Sequence, residues 1–232
     1  GNPRWWGGFY TKNVDRSKFS LTKIMNGSDP EGYNTLMSDV DEIAKQLKRL
    51  SDADVPVLFR PLHEASGGWF WWGADGSEAY NKLWQAIYDK LTNEYKLDNI
   101  IWVWNGQAAN WYPGDEYVDI IGEDIYPGTR DYSAQSSKYL EATDCSPNGK
   151  IVALTENGCL FDLDKAFAAN TAWSYFGTWS GEFCISSSEK YTEKSMWQNV
   201  YNSDYAVTLS SLPDLKSYPI SGDLSLIHIS EP

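Results

Sequence analysis

The chain has 232 residues, of which 42% are hydrophobic and 22% charged, and a net charge of −13. That length supports one domain with a sizeable core, and the negative charge argues against a nucleic-acid or anionic-membrane partner, which it would repel. Twelve Trp and 15 Tyr exceed what such a core needs, and surplus rings make flat, hydrogen-bonding surfaces on which sugars stack.

Residues 1–33 are punctuated by Gly, Pro, Asn and Ser and read as loop. From residue 34, "NTLMSDVDEIAKQLKRL" spaces Leu36, Val40, Ile43, Leu47 and Leu50 by four, three, four and three, the stripe of an amphipathic helix. "VPVLF" (55–59) is a continuous apolar run and predicts a strand buried on both faces. Ser77 is placed to cap a second helix, with Leu83, Ile87 and Leu91 on one face. "NIIWVWN" (99–105), "YVDIIGEDIYP" (117–127), "KIVALTENG" (150–158) and "AWSYFGTWSG" (172–181) predict four more strands. Cys145, Cys159 and Cys184 lack metal-ligand spacing and read as packing, with at most one incidental bridge. No run approaches the roughly 18 apolar residues of a membrane span. "SGDLSLIHISEP" continues no period, so 1–220 is expected to be the domain and 221–232 a non-native or disordered tail. His228 falls in that tail, which leaves His63 as the histidine of interest.

Strands alternating with helices predict an α/β fold with right-handed βαβ units and a parallel sheet. Each predicted strand runs into polar residues: Arg60, His63 and Glu64, then Asn105, then Glu123, Asp124 and Tyr126, then Glu156 and Asn157. Chemistry at strand C-termini suits a (β/α)8 barrel. An open doubly wound sheet would show a glycine-rich phosphate loop, and no GxGxxG or Walker motif occurs here. The chain offers about five strand units where a closed barrel needs eight.

The stretch "RPLHEASGGWFWWG" (60–73) sets His63 beside Glu64 and follows them with two glycines and four aromatic residues. A zinc helix of the HExxH kind requires a second histidine where Gly67 stands, so metal binding is not expected. Glu64 and Glu156 instead occupy matching places, each led by apolar residues and followed by a turn. Two such carboxyl groups are what glycosidic cleavage requires, one to protonate the departing oxygen and one to attack or to activate water. Asp115, Glu116, Asp119, Asp162 and Asp164 read as solvated surface, and Trp71 as packing.

"RPLHEASGGWFWWG", "IIWVWNG", "YVDIIGEDIYPG" and "ALTENG" resemble the family 26 glycoside hydrolases, chiefly endo-β-1,4-mannanases, over about Trp6 to Pro213. The resemblance implies a (β/α)8 barrel and a retaining double displacement, with Glu64 as acid/base and Glu156 as nucleophile. It makes 55–64 the fourth barrel strand, 99–105 the fifth, 117–126 the sixth, 150–156 the seventh and 172–179 the eighth. The barrel is then incomplete, strands one to three being absent, and the 232-residue chain alone is expected to be inactive or insoluble. Glu156 needs donors to stay ionised, for which Arg60, Tyr126 and His63 are candidates. Glu64 must begin protonated, so aromatic surroundings and the charge of Glu156 should raise its pKa. Trp69 and Trp72 are expected as sugar platforms, Asp124 as a ligand for a sugar hydroxyl, Trp179 as the floor of the central subsite and Asn105 as a further binding residue. No cofactor is implied. The expected partner is a β-mannan polysaccharide or oligosaccharide, acted on by a monomer that is secreted or at the cell surface. Open alternatives are β-1,3-1,4-glucanase or β-1,3-xylanase activity on the same scaffold, and a non-catalytic carbohydrate-binding protein.

Overall fold

In the computed structural model, residues 8–184, 187–214 and 217 are described; the tail 221–232, with His228, lies outside them. The segment expected as loop contains a helix, α1 (Leu21–Met25), capped by Ser20, whose hydroxyl accepts from the Lys23 amide. The next helix, α2 (Pro30–Ser51), starts ahead of the hydrophobic stripe. Its start is local chemistry: the Asp29 carboxylate accepts from the Gly32 N–H at 2.9 Å, and Pro30 supplies a preset first helical residue. Leu36, Val40 and Leu47 are buried, whereas Ile43 and Leu50 stay exposed at the edge of the stripe.

Strand β1 spans only Val57–Phe59. It lies at the edge of the sheet and Leu58 is 53% exposed, which corrects the expectation of a strand buried on both faces. Helix α3 (Ser77–Tyr88) is entered from Gly76, so Ser77 is its first residue and not its cap. A π-helical turn, Asp89–Glu94, extends it, and Leu83, Ile87 and Leu91 are buried as expected. There follow β2 (Ile100–Trp104), β3 (Ile120–Ile125), α4 (Ser136–Thr143), β4 (Ile151–Asn157), α5 (Leu163–Ala168), β5 (Phe176–Thr178) and α6 (Lys194–Tyr201).

The five strands are parallel and in sequence order. This is the arrangement of an incomplete (β/α)8 barrel, α/β in class. Phe59, Trp102, Trp104, Ile121 and Val152 point to the helix layer and join the main core. The opposite, inner face carries Leu58 paired with Ile101, then Val103 with Ile120, and Ile120 with Ile151. Continuing that alternation brings Arg60, Asn105 and Asp124 to the C-terminal end of the same face.

The lower part of the inner face is uncovered, with Ile151 57% exposed and Leu58 and Ile101 also open to solvent. We therefore expect the 232-residue polypeptide to enhance the fluorescence of the dye ANS and to self-associate. A monomer by light scattering that leaves the dye dark would contradict this.

Several residues read as solvated surface are structural instead. Asp115 accepts from Tyr112, Ser146 and Asn148. Asp119 accepts from the Trp102 amide at 2.7 Å, and Asp162 caps α5. A short polar side chain beside an unpaired amide outcompetes solvation wherever the chain turns. Cys145, Cys159 and Cys184 are all free thiols. No helix among the described residues is long and apolar enough to cross a membrane.

Candidate active site

The backbone bends sharply as it leaves β1. Leu62 and Glu64 both adopt left-handed conformations, φ 54° and 52°, which cost non-glycine residues energy and persist only where surroundings enforce them. Here the end of β2 does so. The Glu64 amide donates to the Asn105 carbonyl at 2.7 Å and the Ser66 amide to the Gly106 carbonyl at 3.1 Å. The glycines that follow make room: a Cβ on Gly67 would lie 2.0 Å from the Trp69 ring, and one on Gly73 would lie 2.0 Å from the Ala65 carbonyl oxygen.

Glu156 reaches the inner face through a β-bulge. Glu123 pairs with Leu154, but the next residue, Asp124, pairs with Glu156, so Thr155 is an extra residue on β4. Strict alternation from Ala153 would have turned Glu156 to the helix layer. The bulge sets it beside Asp124, where both of its oxygens find donors. Arg60 Nη2 donates to Oε1 at 2.5 Å and the Tyr126 hydroxyl to Oε2 at 2.7 Å.

Arg60 is the hub. Its Nη1 also donates to Asn105 Oδ1 (2.7 Å) and Asp124 Oδ2 (3.0 Å). Burial works against its charge, yet Asp124 and Glu156 carry its pKa above the ordinary value. Asp124 is buried and spent on Arg60 and on the Thr155 hydroxyl at 2.6 Å, while its amide donates to Gln107 Oε1. Burial, and then the charges of Glu156 and Glu64, push its pKa up to about 7 against the pull of Arg60. This corrects the expectation that Asp124 meets a sugar hydroxyl: it orients Arg60. Asn105 is likewise fully buried between Arg60 and the Gly122 carbonyl.

Glu64 stands opposite. Burial and the charge of Glu156 raise its pKa, opposed by the Trp69 indole, which donates to Oε2 at 3.1 Å. One oxygen each of Glu64, Asp124 and Glu156 lies within 4.8 Å of the others. Among the described residues this is the only cluster with metal-ligand geometry, but Arg60 already supplies its cation.

The expected platforms divide. Trp69 and Trp179 are 44% and 47% exposed, as a sugar-facing ring requires, and Tyr126 is open on the same side of the sheet. Trp72 is buried, its Nε1 donating to the His63 carbonyl and its ring stacked on Phe70 at 4.4 Å. It supports the bend and offers no platform. The His63 ring makes no hydrogen bond to Glu156. It packs on Phe70 and Trp72, and burial with the charge of Arg60 lowers its pKa. Gln107 and Thr155 were not legible as site residues, because neither ends a strand in the pattern.

Residues 2–210 match the protein-family model described as glycosyl hydrolase family 26. The chain belongs to glycosyl hydrolase family 26. It is 41% identical over 210 residues to a mannan endo-1,4-beta-mannosidase of Thermothelomyces thermophilus, covering 90% of this chain and 42% of that relative. Among solved structures, the GH26-CBM35 β-(1,4)-mannanase of Podospora anserina superposes with a TM-score of 0.81 at 39% identity, covering 90% of this chain and 46% of the other. A β-mannanase from a symbiotic protist of the termite Reticulitermes speratus, complexed with a gluco-manno-oligosaccharide, matches at TM-score 0.81 and 36% identity, covering 89% of this chain and 63% of the other. The chain thus spans less than half the length of the first two.

The Gly67 geometry carries a prediction within this family 26 site. In an enzyme that carries this segment within a closed barrel, Gly67→Ala should displace the Trp69 indole and break its bond to Glu64, lowering affinity for substrate about tenfold with a smaller effect on global stability. Unchanged KM and tryptophan fluorescence in the variant would refute it.

Proposed function

We propose that the protein cleaves internal β-1,4-mannosidic bonds of mannans with retention of configuration. The observation that carries this reading is the spacing and pairing of the carboxylates. Glu64 and Glu156 bring one oxygen each within 4.8 Å, a close approach that favours a retaining pair, whose carboxyl groups stand roughly 5 to 5.5 Å apart, over an inverting pair, which keeps room for a water between them. Glu156, whose two oxygens accept from Arg60 and Tyr126, attacks the anomeric carbon while Glu64 gives its proton to the leaving oxygen. Esterification removes the charge of Glu156, which is one of the influences raising the Glu64 pKa. Glu64 then ionises more readily and takes a proton from the incoming water. The mannan endo-1,4-mannosidases among its relatives support the substrate. A polymer too large to enter a cell places such an enzyme outside it.

Azide rescue tests the assignment, in an enzyme carrying this segment within a closed barrel. With an activated aryl β-mannoside, Glu156→Gly should yield an α-mannosyl azide and Glu64→Ala a β-mannosyl azide. The opposite products would exchange the two roles, and hydrolysis of mixed-linkage glucan or β-1,3-xylan in preference to mannan would move the substrate.

A further inference from the structure

On the helix side of β4 and β5 lies a second groove, of about 710 Å³, formed by the first turn of α5, by α6 and by residues 202–205. It shares no lining residue with the catalytic cluster, and its size falls within the range of ligand sites. Its rim carries Tyr205, half exposed and stacked face to face on Phe167 with centroids 3.9 Å apart and planes 13° apart. The stacking fixes the tyrosine ring as a flat, prepaid surface, so little conformational freedom is lost when a ligand lies on it.

The polar lining points to the class of ligand. The side chains of Asp164, Gln198, Asn199 and Asp204 line the groove and make no hydrogen bond among the described residues. They offer carboxylate acceptors together with amide donors and acceptors. No Lys or Arg lines the groove, so an anionic ligand would be repelled. Nor do its aspartates converge as metal ligands, since the one such cluster among the described residues is the catalytic one. A ring platform flanked by unspent neutral and acidic hydrogen-bonding groups matches an uncharged polyhydroxylated chain.

We propose that this groove is a second binding site for β-mannan, remote from the site of cleavage, that holds the enzyme on its polymer. The inference rests on the mannanase reading of the active site. Binding is tested on the 232-residue chain by depletion onto insoluble mannan, with a polysaccharide-free control correcting for self-association. Tyr205→Ala with Phe167→Ala should weaken retention roughly tenfold, Tyr205→Phe should keep it, and Asn199→Ala with Asp164→Ala should weaken it without altering the circular dichroism. Trp69→Ala should leave the greater part of retention intact. Equal retention by the wild type and the Tyr205→Ala, Phe167→Ala variant would overturn the proposal, as would absence of retention by the wild type or equal adsorption to mannan, cellulose and chitin. Tyr205-dependent retention on cellulose or xylan but not on mannan would keep the groove as a glycan site and sink the mannan reading, which azide rescue judges separately.

Discussion

Replacing Arg60 by Ala in an enzyme that carries this segment within a closed barrel should lower kcat by about two to three orders of magnitude, the scale of losing a preorganised electrostatic contact. The substitution removes three hydrogen bonds at once, to Asn105, Asp124 and Glu156. It leaves two nearly buried carboxylates facing each other without their cation, and breaking a buried pair from one side costs about 3 to 5 kcal/mol. Lysine should not restore activity, because one ammonium cannot span acceptors that the guanidinium reaches with two nitrogens. Adding Asp124→Asn to Arg60→Ala should recover stability without recovering turnover, since it relieves repulsion but leaves Glu156 short of a donor. Full kcat in the Arg60→Lys enzyme, or no gain in melting temperature in the double variant, would show that the hub is misassigned.

The second large effect lies behind the sheet. Glu123 faces the helix layer, is buried, and makes no side-chain hydrogen bond among the described residues. Burial pushes its pKa up to about 8, helped by Asp124 and Glu141 and opposed by Lys138, which is itself bonded to Glu141. Its folded pKa exceeds the ordinary value of 4.5, so the folded state holds the proton more tightly. The stability contributed by the protonated form is complete below about pH 4.5 and is lost as the pH rises toward 8. Glu123→Gln should therefore match the wild type in acid and exceed it at pH 8, by on the order of 5 °C in melting temperature. Asp124 and Glu64 also have raised pKa values, so only the difference between wild type and variant isolates Glu123. Parallel melting curves from pH 4.5 to 8 would eliminate the effect.

That Glu64 and Glu156 would come together was legible because each follows an apolar run, and a strand end is visible as a change of pattern. The helix carrying Leu36, Val40 and Leu47 was legible for the same kind of reason. What stayed hidden depends on neighbours distant in the chain. Nothing in "GGWFWWG" says that Trp69 is exposed while Trp72 is buried under His63, because that division follows from the left-handed bend at Leu62 and Glu64 and its ties to the end of β2. Asp124 looked free to meet substrate because its fixed partners, Arg60 and Thr155, come from other strands. The helices starting at Leu21 and Pro30 did leave local signals, Ser20 and Asp29-Pro30 respectively, which a reading led by hydrophobic periodicity passed over.

The extra residue at Thr155 makes the placement of Glu156 a question of parity. Plain alternation would need one residue between Ala153 and Glu156 to keep both on the inner face; the strand holds two, Leu154 and Thr155, and the extra one is absorbed where β3 passes directly from Glu123 to Asp124. Deleting Thr155 would restore plain alternation and leave Glu156 on the inner face opposite Asp124, but it would remove the hydroxyl that donates to Asp124 at 2.6 Å. Removing Thr155 should thus disturb the Arg60–Asp124 network while the Glu156 carboxylate keeps its face.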